Sequence, residues 1–184
     1  MSSKDDSLNR EEFEKMWEAT RSGDEYDRII FVTSAHLGMR SSEIANMKRS
    51  WVDFGRQVVQ IPYKSGDWNA KNKSAARTIP YGNMRHRVKK ELETFFDYHE
   101  EVPVDRRTVW YRVKRMAKSA NITRNVYPHS LRATAAFQFA EAGLSAQALR
   151  QIMGWSQLNT AQSYINQTGR AAERELEKKG NNLW

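Results

Sequence analysis

Cysteine is absent from the 184 residues. That excludes disulfide frameworks and every zinc or iron–sulfur site built on thiolates. Proline and glycine are scarce, with four and nine residues, so the chain carries no collagen-type repeat and no low-complexity linker. Long apolar runs are missing too. The longest, Ile29-Ile30-Phe31-Val32, is far short of the roughly 18–20 residues that cross a bilayer. The first residues, Met1-Ser2-Ser3-Lys4-Asp5-Asp6, lack a charged-then-apolar secretory layout. What is left is a polar, helix-friendly chain of mean hydropathy −0.81. It is expected to be cytoplasmic, with no membrane association. Its length suits one domain that buries a core without covalent staples.

Charge is plentiful but unevenly placed. The net charge is +8 and the isoelectric point about 9.8, which points to a polyanionic partner. Residues 1–27 hold four basic against nine acidic side chains, a net of −5. Residues 40–90 hold twelve against three, a net of +9. The lysines of that middle stretch crowd one turn-like segment, as a phosphate-facing surface requires.

The apolar spacing predicts an α+β domain that is mostly helical, with a small three-stranded antiparallel sheet inserted near its N-terminal third. Asn9 and Glu12 fit a capping box, and Leu8 and Phe13 a hydrophobic staple, for a first helix ending at Gly23-Asp24. A second helix spans about Tyr26 to Leu37 and stops at Gly38. Ser41 or Ser42 is expected to cap a short third. The period then changes to strands at Trp51–Phe54 and Val58–Ile61, turning at Gly55. A polar loop from Ser65 to Ala76 leads to a third strand, Arg77–Pro80, and prolines 62 and 80 mark strand ends. The rest reads as helices around Val88–Phe96, Val109–Ala117, Pro128–Ala142 and Ser145–Ile152, the last closed by Gly154. A short segment near Thr160–Ile165 and a charged tail helix near Arg170–Lys179 follow.

Three stretches carry the chemistry-bearing residues. Gly38-Met39-Arg40-Ser41-Ser42-Glu43 is a sharp turn that places Arg40 at a helix start. Ala70-Lys71-Asn72-Lys73-Ser74-Ala75-Ala76-Arg77-Thr78-Ile79-Pro80 is a basic hairpin. His129-Ser130-Leu131-Arg132 is followed by Gly154-Trp155 and, nine residues after Trp155, by Tyr164. This ordered set of Arg, hairpin Lys, His-x-x-Arg, Gly-Trp and Tyr resembles the tyrosine recombinase (phage integrase) family, in particular its archaeal and viral integrases. The likeness runs from about Leu8 to Ile165. Each residue also has an ordinary reading: Arg40 as a local cap or ion pair, His129 as a helix-start residue, Trp155 and Tyr164 as core.

The resemblance implies a site-specific DNA recombinase or integrase that works through a 3′-phosphotyrosyl intermediate, with no metal, ATP or other cofactor. Its implied catalytic residues are Arg40, Lys71, His129, Arg132, Trp155 and Tyr164. Guanidinium forks match phosphate oxygens and stay charged, which suits Arg40 and Arg132 to the extra negative charge on phosphorus. A hairpin lysine whose pKa neighbouring cations depress can protonate the leaving 5′ oxygen. Lys71 fits that role, with Lys64 and Lys73 as alternatives. Tyr164 is the implied nucleophile, although a phenol, ordinarily with a pKa near 10, needs a base or cationic surroundings to attack. His129 is the implied base or phosphate donor, and the Trp155 indole donates one hydrogen bond without exchanging a proton. Glu43 is expected to orient Arg40 or the helix start. Lys64, Lys73 and Arg77 are expected DNA contacts.

The implied partners are double-stranded DNA carrying attachment-type sites and three further copies of the chain in a tetramer on that DNA. An N-terminal core-binding domain, separate or removed, is also implied, because the first helix begins by Leu8. The expected division is a flexible 1–7, a catalytic domain at 8–167 and a tail helix at 168–184. Ala171, Leu176, Leu183 and Trp184 would anchor that tail on a neighbouring protomer or on its own domain. The competing reading is a catalytically inactive DNA-binding accessory protein derived from a recombinase.

Overall fold

A computed structural model describes residues 6–169. Helix α1 (Arg10–Arg21) opens as its sequence dictates. The Asn9 side chain accepts from the Glu12 amide at 2.9 Å, and Glu12 reaches back to the Asn9 amide at 2.9 Å. A cap of this kind is worth about 1 kcal/mol. Leu8 and Phe13 are both buried, and the Leu8 amide donates to the Thr134 hydroxyl at 2.8 Å, which ties the chain start to a helix more than a hundred residues on.

Helix α2 (Glu25–Phe31) is capped by Asp24 and widens into a π turn at Val32–His36. Thr33 and Ser34 donate their hydroxyls back to the Ile29 and Ile30 carbonyls. Such back-bonding loosens the ordinary ladder and accompanies the widening. Helix α3 (Ser41–Ile44) follows the turn at Gly38, whose φ is +65°. Its N-cap is Arg40, not the expected Ser41 or Ser42. Glu43 takes over the capping by accepting the Arg40 amide at 2.7 Å.

The sheet is smaller and more subdivided than the sequence suggests. Trp51 ends a 3₁₀ turn, leaving β1 as Val52–Asp53. β1 pairs with β2 (Val58–Ile61), and β2 with the later edge strand β5 (Arg77–Pro80), all antiparallel, with Ile61 opposite Arg77. The expected loop at 65–76 contains a second hairpin, β3 (Lys64–Ser65) with β4 (Trp68–Asn69), turning at Gly66, then a 3₁₀ turn at Lys73–Ala75. Trp68 packs on Trp51, ring centroids 5.2 Å apart, so apolar contact holds this hairpin to the sheet.

Five helices complete the domain: α4 (His86–Phe96), α5 (Arg106–Ser119), α6 (Pro128–Glu141), α7 (Ala146–Met153) and α8 (Leu158–Thr168). Pro128 and Ser145 start α6 and α7 as read, and Gly154 closes α7 in the left-handed region at φ +61°. Helix α8 is longer than the segment expected at 160–165, while the tail helix expected at 170–179 lies outside the described residues. The main core joins α1, α2, α4, α5 and the sheet. A second cluster joins α6, α7 and α8 through Ala133, Ala136, Leu149, Met153, Ala161 and Tyr164. Helix α6 serves both, which is why it is buried on most of its sides. No helix among the described residues is long and apolar enough to cross a membrane.

Candidate active site

The C-terminal end of α7 organises the site. A helix end leaves its last carbonyls without intrahelical partners, and the helix dipole makes that end attractive to cations. Here three consecutive carbonyls each accept from a different arginine. Ile152 takes Arg77 Nε at 2.6 Å, Met153 takes Arg132 Nη2, and Gly154 takes Arg40 Nη2 at 2.7 Å. Arg132 also donates to the Gly38 carbonyl, so the α2–α3 turn and the α7 end meet across one guanidinium.

Glu43 lies among the three. It accepts Arg40 Nη1 at 2.7 Å and binds Arg77 in bidentate fashion, at 2.8 and 3.0 Å. Burial pushes its pKa up. The hydrogen bonds and charge of Arg77, with the charges of Arg132 and Arg40, outweigh that and hold it at about 2. Arg132 is 5% exposed. Burial, then the charges of Arg40 and Arg77, lowers its pKa, while Glu43 and the Tyr164 phenol act the other way. One carboxylate among three guanidiniums leaves net positive charge in a dry setting, which an anion such as a phosphate would relieve.

The free donors are unequally distributed. A guanidinium carries five N–H groups. Arg40 and Arg132 each use two of them on described residues, whereas Arg77 uses four. Arg77 is 4% exposed at its side chain, against 21% for Arg40. Arg77, an expected DNA contact, turns its described hydrogen bonds inward, to Glu43, Ile152 and Ala75.

Trp155 follows the Gly154 cap directly. Arg132 Cζ lies 5.9 Å from its ring centroid, within cation–π range. Tyr164, on α8, stacks on Trp155 with centroids 5.3 Å apart and an interplanar angle of 15°. Tyr164 is 4% exposed. Trp155, Arg77, Ser74, Thr78, Arg150 and Gln151 line an open cleft of about 430 Å³ beside this pair.

The structure thus brings together Arg40, Glu43, Arg77, Arg132, Trp155 and Tyr164. It leaves His129, Lys64, Lys71 and Lys73 exposed at the surface. His129 sits in the first turn of α6, its ring nearly parallel to that of Tyr127 at 6.4 Å. Lys64 belongs to β3, while Lys71 and Lys73 belong to the segment between β4 and β5. Sequence reasoning missed the inward role of Arg77 and the three carbonyls. Only the cap glycine, Gly154, signals them, since backbone acceptors have no signature in side-chain order.

Comparison with known proteins gives a consistent picture. The pattern described as Phage integrase family matches residues 6–170. The chain is 33% identical to tyrosine recombinase XerA of Thermococcus onnurineus, over 94% of this chain and 62% of that protein. It is 34% identical to tyrosine recombinase XerD of Staphylococcus saprophyticus, over 76% of this chain and 50% of that protein. Among solved structures, the crystal structure of XerA recombinase aligns with a TM-score of 0.73 at 22% identity, covering 94% of this chain and 62% of that one. The Tn1549 transposon integrase in complex with transposon right end DNA aligns at 0.71 and 20% identity, covering 93% and 66%. The chain therefore spans about half to two thirds of the length of these relatives.

Proposed function

The chain belongs to the phage integrase family, and we propose that it performs the strand cleavage and rejoining of a tyrosine-type site-specific DNA recombinase. The observation that carries this reading is the placement of Arg40 and Arg132 on the adjacent carbonyls of Gly154 and Met153, beside the stacked Trp155 and Tyr164. Two forks with donors to spare and a phenol beside them suit a single backbone phosphate.

In this reading the Tyr164 oxygen attacks phosphorus as its proton passes to His129 or water. The P–O5′ bond breaks, the 5′ oxygen takes a proton from the lysine of the β4–β5 segment, and the 3′ phosphate stays bonded to Tyr164. Arg40 and Arg132 neutralise the charge that grows on the non-bridging oxygens, each aimed donor being worth about 10²–10³ in rate. The Trp155 indole N–H adds one more donor. The phosphotyrosyl bond retains the energy of the phosphodiester, so the reverse attack by a 5′ hydroxyl reseals a strand without a cofactor. Lys71 is the proposed acid, with Lys64 and Lys73 as alternatives, and Lys64 and Lys73 are proposed phosphate contacts.

The partner in this reading is duplex DNA carrying attachment-type sites, bound by a tetramer. A core-binding domain would close the other side of the duplex. The proposed division is residues 8–167 for catalysis, followed by a tail at 168–184. The test uses a nicked suicide duplex, denaturation and detection of a covalent protein–DNA adduct. An adduct with the natural chain that disappears in Tyr164→Phe is the expected result. DNA binding without any adduct would favour the accessory-protein reading.

A further inference from the structure

Arg77 is the one cationic side chain of the cluster that this chemistry does not use. It is the first residue of β5, directly after the segment that carries Lys71 and Lys73. Its guanidinium joins three parts of the fold. Nη1 donates to the Ala75 carbonyl at 2.8 Å, within its own segment. Nη1 and Nη2 grip Glu43, which also holds Arg40. Nε donates to Ile152 at the end of α7.

The segment itself is pinned at both ends. The Ala70 amide donates to Tyr63 at 2.8 Å, and Ala70 is buried. Ala75 is fully buried, and its amide closes the 3₁₀ turn onto Asn72 at 3.0 Å. A Cβ on Gly154 would lie 2.9 Å from Arg77 Cδ and 3.2 Å from Ala75 Cα. The α7 end thus leaves no room for a side chain between itself, Arg77 and the segment. The two lysines stand exposed between the pinned residues.

We propose that Arg77 is a positioning residue that braces the lysine-bearing segment against the Glu43–Arg40 pair and the end of α7, so that the general-acid lysine reaches the leaving oxygen. The physical need is plain. A lysine has a long flexible stem, and its delivery depends on a fixed backbone, where a misplacement of about 1 Å costs on the order of 10² in rate. The bidentate grip on Glu43 and the bonds to two carbonyls require a planar fork, which lysine lacks. This inference rests on the recombinase reading above.

The test compares an ordinary DNA strand with one bearing a 5′-bridging sulfur, whose leaving thiolate needs no proton. Single-turnover cleavage is measured for the natural chain, Arg77→Gln and Arg77→Lys, with thermal melting and duplex affinity followed in parallel. Both variants should cleave the ordinary strand about 10²-fold more slowly. On the sulfur strand most of that deficit should be recovered, while duplex affinity changes little. Arg40→Lys, which weakens charge neutralisation instead, should show no comparable recovery. Equal deficits on the two strands would overturn the brace, as would full activity in Arg77→Lys. If Arg77→Gln does not fold, the charge-keeping Arg77→Lys decides alone. Absence of an adduct from the natural chain on both strands would be a different failure, removing the recombinase reading and the brace with it.

Discussion

Trp155 and Tyr164 lie face to face, 15° from parallel, with the tyrosine almost wholly enclosed. The indole therefore has two roles in the proposed chemistry: it packs the nucleophile and it offers a donor. Trp155→Phe separates them, because a flat ring remains and the N–H is lost. Adduct formation is expected to slow by about 10²–10³, with a melting temperature only about 2–4 °C lower. Single-turnover assays and a thermal melt on the same sample check this.

Gly154 and Gly66 have nearly the same left-handed backbone, φ +61° and +59°. Around Gly66 an added Cβ meets nothing within 4 Å, whereas at Gly154 it meets Arg77 and Ala75. Gly66→Ala should lose only the conformational term, about 1–2 kcal/mol. Gly154→Ala should lose more, and it should also depress cleavage. Denaturant midpoints for the pair check the difference.

Glu43 makes the stability depend on acid. Its carboxyl sits at about 2 in the folded chain against an ordinary 4.5. A lowered folded value means stability that is complete above about pH 4.5 and lost as the pH falls towards 2. The linkage is worth about 3 kcal/mol. Glu43→Gln should be less stable at neutral pH by about 3–5 kcal/mol, since buried guanidiniums lose their counter-charge. Its stability should also fall less steeply across that acid window. Urea titrations at several pH values between 5 and 2 check both statements.

Exposed and enclosed cations should differ in their salt response. Each phosphate contact contributes a unit-scale slope to log affinity against log salt. Lys64→Ala and Lys73→Ala are expected to lower that slope by about 1 each, while Arg77→Ala leaves it unchanged because its fork is turned inward. Duplex binding measured across a salt series checks it.

Much of this architecture is legible in side-chain order. The Asn9–Glu12 box, the Leu8–Phe13 staple, Pro128, Ser145 and Gly154 all act where their chemistry says. So does the pairing of Val58–Ile61 with Arg77–Pro80. The misreadings share one cause. Arg40 caps α3 only because Glu43 reaches back to its amide, and Arg77 turns inward only because Glu43 and Ile152 await it. The hairpin at 64–69 depends on Trp68 finding Trp51, and the π turn on hydroxyls bonding back one turn. Each is decided by a distant partner or by the main chain, and neither is visible in local periodicity. Tyr164 is legible by its spacing after Trp155, but its enclosure by α6 and α7 is not.

A single helix terminus holding three arginines behaves as a rigid handle. Because Arg40 stands at the start of α3, Arg77 on β5 and Arg132 on α6, a displacement of the α7 end would disturb three separate elements at once.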